Sequence, residues 1–198
     1  MNEQPKITKE HAKAVAKEWI EAIVIAFVLA MFIRTFFIQA FKIPSGSMEK
    51  TLMIKDRLMV TKLDYGPKVP FTSKRLPGFG KPERGDIIVF KYPENPKRAF
   101  IKRLIAFGGE QVEIREGDIY INGQLVEDPV IKNIYYYNRG DFGKEGQIIT
   151  VPEHYYFVLG DNSASSSDSR YWGFVPEINL IGKAQFIFWP PQRIRFLK

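Results

Sequence analysis

In the stretch FKIPSGSMEKTL, residues 41–52, two serines, Ser45 and Ser47, flank Gly46 a few residues after a long apolar run. A serine hydroxyl becomes a nucleophile when a neighbouring base takes its proton, and the usual base is histidine. The chain holds only two histidines. His11 lies ahead of the apolar run, and His154 sits in VPEHYYF, which reads as a solvated loop. No cysteine is present, so thiol nucleophiles, disulfides and cysteine-ligated metals are excluded together. No G-x-S-x-G elbow occurs either.

Lysine can serve as the base when burial lowers its pKa far enough to populate the neutral amine. The segment AFIKRLIAF, residues 99–107, offers Lys102. Strand alternation puts Phe100, Lys102 and Leu104 on one face and Ile101, Arg103 and Ile105 on the other. Both faces are mostly apolar, so a strand covered on both sides would desolvate two cations, which is costly unless each has a purpose. Arg103 stays protonated and needs a carboxylate partner, whereas Lys102 can lose its proton. The alternative is an edge strand from which one or both cations reach water. The segment GDNSASSSDSR, residues 160–170, reads by itself as a polar loop with Asx-type turns. Beside the other two it supplies Asp161 and Asp168 for pairing with Arg103 or Arg170, and hydroxyls able to orient a lysine.

These three segments must be held by a scaffold of strands. DRLMVTKL, GDIIVFKY, AFIKRLIAF, EQVEIRE, QIITV, YYFVLGD and AQFIFW are short runs rich in branched and aromatic residues, bounded by Gly, Pro, Asn or Asp. Asn122-Gly123 stands between two apolar arms, the chemistry of a two-residue type I′ hairpin turn. Residues 64–86 carry four prolines and four glycines and read as a long exposed loop. The expectation is a mainly β fold, an antiparallel catalytic domain following one N-terminal transmembrane helix.

That helix is WIEAIVIAFVLAMFIRTFFIQA, residues 19–40, about 33 Å long at the usual helical rise and able to span a bilayer. Glu21 lies near one end, and Arg34 can extend its charge toward the other interface. Its uncharged centre, residues 22–33, is short, so a cleaved export signal ending near Ala40 and a buried core helix are the alternatives to a permanent anchor. Lys6, Lys9, Lys13 and Lys17 precede the run and favour a cytoplasmic amino terminus. The chain thus divides into a cytoplasmic segment 1–18, an anchor 19–40 and an extracytoplasmic domain 41–198. The net charge of +7 suits either nucleic acid or anionic lipid. No reader motif of gathered aromatic and basic residues supports nucleic acid.

Together the segments resemble the type I signal peptidases, membrane-anchored serine proteases that remove signal peptides from exported proteins. The likeness rests on RTFFIQAFKIPSGSMEKTL with the preceding apolar run, RGDIIVFKYP, FIKRLIAFGGE and GDNSASSSDSRYWGFVPE, in the family's order. The resemblance implies Ser47 as nucleophile and Lys102 as general base. It gives Ser45 a part in stabilising the oxyanion, Ser166 the orientation of the lysine, and Arg103, Asp161, Asp168 and Arg170 a supporting charge network. Phe41, Ile43, Pro44, Met48, Leu52 and Ile101 match positions lining pockets for small residues, alanine above all, at the first and third places before the cut. Neither metal nor cofactor is implied. The implied partners are secretory preproteins and membrane lipid.

Lys50 stands where the family's S-M-x-P-T-L has proline, Ser163 where G-D-N-R has arginine, and AFGGE where G-L-P-G-D is common. None of these touches the dyad. They leave room for a narrowed substrate choice, and they favour the rival reading, a catalytically silent, membrane-anchored β module that binds exported peptides without cutting.

Overall fold

The computed structural model describes residues 9–70, 72 and 74–197. Lys6, one of the lysines read as holding the amino terminus in the cytoplasm, lies outside them. The chain opens with one continuous helix, α1 (Lys9–Phe36), whose side chains are exposed along its apolar length. Between His11 and Phe36 it is long and apolar enough to cross a membrane. The helix ends earlier than the apolar run does. Ile38, Gln39 and Ala40, expected at the end of the anchor, lie instead in a strand, where backbone pairing with a distant partner outweighs continued helix.

Twelve strands follow among the described residues: β1 (Ile38–Lys42), β2 (Arg57–Thr61), β3 (Ile87–Tyr92), β4 (Asn95–Phe107), β5 (Gln111–Arg115), β6 (Asp118–Ile121), β7 (Gln124–Leu125), β8 (Ile149–Thr150), β9 (Tyr155–Leu159), β10 (Val175–Pro176), β11 (Leu180–Trp189) and β12 (Arg195–Phe196). The larger sheet runs β1-β2-β11-β3-β4-β9-β10, with β12 on β11; the smaller runs β7-β6-β5-β8. Every pairing is antiparallel. The mainly β expectation is therefore what the molecule shows. Asn122 and Gly123 take φ of +51° and +78° between the paired Ile121 and Gln124, a left-handed conformation that the Asn-Gly sequence tolerates and other residues resist.

Strand β4 lies inside the larger sheet, between β3 and β9, and residues 101–106 are buried on both faces. The edge-strand alternative for its two cations is thereby excluded. Ile101 joins a core with Leu58, Val89 and Ile187. Leu104 packs with Ile88 and Val158, and Ile105 with Phe157 and the smaller sheet. A register shift between Leu104 and Ala106 lets one strand serve these separate cores. The proline- and glycine-rich stretch 64–86 is less open than its composition suggests. Gly66 and Pro67 are buried, the backbones of Lys68 and Arg75 pair in an isolated antiparallel bridge, and the Tyr65 hydroxyl donates to Asp86 at 2.6 Å.

Candidate active site

Strand β1 delivers the chain to a tight turn that carries Ser47. The turn is built from Glu49 N–H to Gly46 O (3.0 Å), Thr51 N–H to Met48 O (3.1 Å) and Leu52 N–H to Met48 O (2.7 Å). Met48 and Leu52 are wholly buried beneath it and fix it to the core. Lys50 sits at φ +88°, in the left-handed region. Proline, locked near −65°, could not occupy this conformation, so a residue other than proline at position 50 agrees with the geometry of this turn.

Lys102 reaches the turn from β4. Its Nζ lies 2.7 Å from Ser47 Oγ and 3.1 Å from Ile101 O, with the Phe100 ring centroid 5.5 Å away. Lys102 is 3% exposed and Ser47 8%. Burial is the main cause pushing the amine down to about 8 from 10.5. Asp168 and Asp161 oppose that fall, and Arg170 adds to it. The result is an amine that is neutral in a useful fraction of molecules near neutral pH, already in contact with the hydroxyl whose proton it would take.

The acidic loop 160–170 supports this contact through two buried ion pairs. Asp161 receives Arg103 Nε at 2.8 Å and Nη2 at 2.6 Å, and the Thr51 hydroxyl donates to the same carboxylate. Arg103 Nη1 donates to Gly85 O at 2.6 Å. Asp161 thus joins the strand of Lys102 to the turn of Ser47. Asp168 receives Arg170 Nε and Nη2, both at 2.8 Å, and the Gly160 N–H at 3.1 Å. Arg170 and Asp168 are completely buried. Ser163, where the family pattern has arginine, accepts from Tyr137 N–H at 2.9 Å and Arg170 Nη1 at 2.8 Å. A compact hydroxyl therefore occupies a fully internal position there.

Asn162 and Gly160, which carry no distinguishing chemistry in the sequence, join the loop to the turn of Ser47. The Asn162 N–H donates to Ser47 O at 3.1 Å and its side-chain amide to Gly46 O at 3.0 Å. A Cβ on Gly160 would come within 2.2 Å of Ser166 Oγ and 2.5 Å of Ser47 O, so only glycine admits this approach. Nothing local distinguishes Thr51 either, a threonine that reaches across 110 residues to Asp161. A polar Asn in a G-D-N run was the available signal for Asn162.

Other expected residues are placed differently. Ser166 Oγ is buried against Gly160 with no hydrogen-bond partner, so in this conformation it does not hold Lys102. Ser45 is exposed and lines the cavity of about 590 Å³ in front of the dyad, with Pro44, Ala99, Phe100 and Ile101. Of the six residues expected to line substrate pockets, Pro44 and Ile101 face this cavity. Ile43, Met48 and Leu52 belong to the core, and Phe41 packs half-buried against it. Their apolar character serves to anchor the turn. His154 is exposed and lies near Glu177, as its sequence context suggested.

Pairing of β9 with β4 begins only at Arg103, leaving the edge of residues 98–101 on that side, beside Ser47, without a strand partner among the described residues. Such an edge can take an extended peptide as an added strand. Among the described residues no group of three or more His, Asp or Glu side chains converges as a metal site would need. Both aspartates nearest the dyad are engaged by arginines.

Comparison with known proteins gives the family of the chain. The family model described as signal peptidase, peptidase S26, matches residues 16–189. A signal peptidase I from Leptolyngbya laminosa is 40% identical over 96% of this chain and 88% of its own. One from Pseudomonas aeruginosa is 32% identical over 84% of this chain and 70% of its own. A solved signal peptidase I structure from Enterococcus faecalis is 41% identical, with a TM-score of 0.42, over 52% of this chain and 96% of that one. The chain therefore belongs to the bacterial type I signal peptidases of family S26, serine peptidases that cleave signal peptides.

Proposed function

We propose that this chain is a membrane-tethered endopeptidase that cuts secretory preproteins after a small-x-small motif with Ser47 as nucleophile and Lys102 as general base. The observation that carries this reading is the 2.7 Å contact between a buried amine and the Ser47 hydroxyl. A preprotein segment lies along the open 98–101 edge of β4 with its small residues in the cavity before Ser47, Ala-x-Ala being the preferred pattern. Neutral Lys102 takes the hydroxyl proton as Ser47 Oγ attacks the scissile carbonyl carbon. The oxyanion is met by the Ser47 backbone N–H and the Ser45 hydroxyl. The Lys102 ammonium then gives its proton to the leaving amine, the C–N bond breaks, and an ester to Ser47 remains. Lys102, neutral again, deprotonates a water that hydrolyses the ester, and Ser47 recovers its hydrogen. Asp161, Asp168, Arg103 and Arg170 hold the loop, and the first two with Arg170 tune the amine; orienting the amine would fall to the Ser166 hydroxyl only in a conformation other than this one, in which it has no hydrogen-bond partner.

In the same reading α1 crosses the plasma membrane once, with the amino terminus in the cytoplasm and the β domain outside, next to lipid and to emerging signal peptides. No nucleic acid is involved. The test is processing of a preprotein by wild type, Ser47→Ala and Lys102→Arg side by side in detergent. Wild type yields the shortened product, and each variant loses at least about 10³-fold in rate, Ser47→Ala because no hydroxyl is left to attack and Lys102→Arg because a permanent cation cannot accept the proton. Product from Lys102→Arg at the wild-type rate would overturn the assignment.

A further inference from the structure

A second cavity, about 880 Å³, is larger than the one before Ser47 and lies where the end of α1 meets the start of β11 and the end of β3. Four cations line it: Arg34 from the last turn of α1, Lys62 just after β2, Lys68 from the 64–86 stretch, and Lys91 from β3. No carboxylate lines it among the described residues. Met31 and Ile181 give it an apolar side.

Lys62 fixes this junction. Its ammonium donates to Arg34 O at 2.8 Å and Thr35 O at 3.3 Å, and its backbone N–H to Phe37 O at 2.8 Å. The last carbonyls of the helix are satisfied this way, and a cation is held at the negative end of its dipole. Burial, and secondarily the charge of Arg34, holds the Lys62 pKa below its ordinary value. Gathering four like charges around a cavity is unfavourable in the absence of an anion. The ligand this cavity fits therefore carries negative charge at one end and hydrocarbon at the other.

We infer that this cavity binds the phosphate-bearing headgroup of an anionic phospholipid, with Arg34, Lys62, Lys68 and Lys91 facing the phosphate and Met31 and Ile181 meeting the first part of the acyl chains. The inference rests on the reading of α1 as a membrane span, since that reading puts Arg34 and the cavity at the bilayer surface, where such headgroups lie. The site would set the height and tilt of the β domain on the membrane and so the approach of Ser47 to a signal peptide.

The test uses the full chain in neutral maltoside detergent, without substrate. Bound dihexanoyl phosphatidylglycerol is measured by native mass spectrometry, alongside dihexanoyl phosphatidylcholine and inorganic phosphate. Wild type should retain one phosphatidylglycerol, and both other probes should bind at least about tenfold more weakly. Lys68→Glu/Lys91→Glu should weaken phosphatidylglycerol by at least about tenfold, and Lys68→Ala/Lys91→Ala by less, both with an unchanged unfolding temperature. If the charge reversal fails to fold, the alanine pair carries the same test. Equal binding of phosphatidylcholine, equal binding of free phosphate, or undiminished binding by the folded variants would overturn the proposal. Because the readout is lipid retention, its failure leaves precursor cleavage untouched, and failure of cleavage leaves it intact.

Discussion

Arg103 and Asp161 form a two-pronged ion pair, 2.8 and 2.6 Å, with neither side chain reaching water. The pair links β4, which carries the lysine, to the loop that grips the serine turn. Removing one partner strands a buried charge, which costs about 3–5 kcal/mol. Asp161→Asn is therefore predicted to lower the unfolding free energy by that amount in denaturant titrations. Replacing both, as Arg103→Met with Asp161→Leu, should recover much of the loss. Asp161 also raises the Lys102 pKa, so in any folded Asp161→Asn protein the amine should titrate lower than in wild type. The acid limb of the rate profile moves with it.

Activity should depend on pH through the same amine. Below about 8 Lys102 is mostly protonated and cannot take the Ser47 proton. The value of kcat/KM is therefore predicted to rise with pH through about 8 and then level, as measured on a synthetic precursor peptide. A profile already flat from pH 6 upward would argue against Lys102 as the base.

Buried, Lys102 also destabilises the fold. Its folded pKa of about 8 lies below the ordinary 10.5, so between those values the unfolded chain binds more protons than the folded one. Stability from this group hence rises with pH across that window, and at pH 7 the charged form imposes its full penalty, about 3 kcal/mol. Lys102→Met should raise the unfolding temperature at pH 7 while abolishing cleavage. Equal or lower stability of that variant would contradict the assignment of burial as the main cause.

Much of the site was readable because few residue types could do the chemistry. With His11 and His154 badly placed and no cysteine, a lysine was the remaining kind of base, but the strand around Lys102 left burial and an exposed edge both open, and only the resemblance to the type I signal peptidases singled out Ser47 and Lys102. The Asn122-Gly123 turn was readable because its requirement is local. What was hidden depends on contacts distant in sequence. The strand at 38–42 looks like the end of an apolar helix until β2 pairs with it. Met48 and Leu52 read as pocket walls because an apolar side chain near a nucleophile can face either way, and here both face the core. Lys50 at positive φ, the Asn162 clamp on Ser47 O and the unpartnered Ser166 hydroxyl are three-dimensional facts with no signature in spacing.

The turn around Ser47 makes its own prediction. Lys50 holds φ +88°, which glycine adopts freely and proline cannot. Lys50→Gly is expected to match or exceed wild type in stability by up to about 1 kcal/mol, whereas Lys50→Pro loses about 3 kcal/mol or more and most of its activity. Thermal unfolding and cleavage rates of the two variants check this together. A fully active, stable proline variant would mean that the turn adopts another conformation.

Gly160 should be equally intolerant. A methyl there meets Ser47 O, a backbone atom that cannot swing aside as a side chain would. Gly160→Ala is predicted to reduce kcat at least about tenfold, a loss typical of displacing a reacting group by a fraction of an ångström. Removing the Ser166 side chain as well, in Gly160→Ala/Ser166→Gly, relieves two of the three close contacts and leaves the backbone clash with Ser47 O, so kcat should stay below that of Ser166→Gly alone.

The most direct measurement is the titration of Lys102 itself, followed by the NMR shift of its ε-carbon in protein labelled with ¹³C-lysine and assigned by loss of the signal in Lys102→Arg. A midpoint near 8 is the expected result, with the neutral amine resting against Ser47. A midpoint at the ordinary lysine value of 10.5 would contradict the account, because the amine would then be charged at every pH at which the enzyme works.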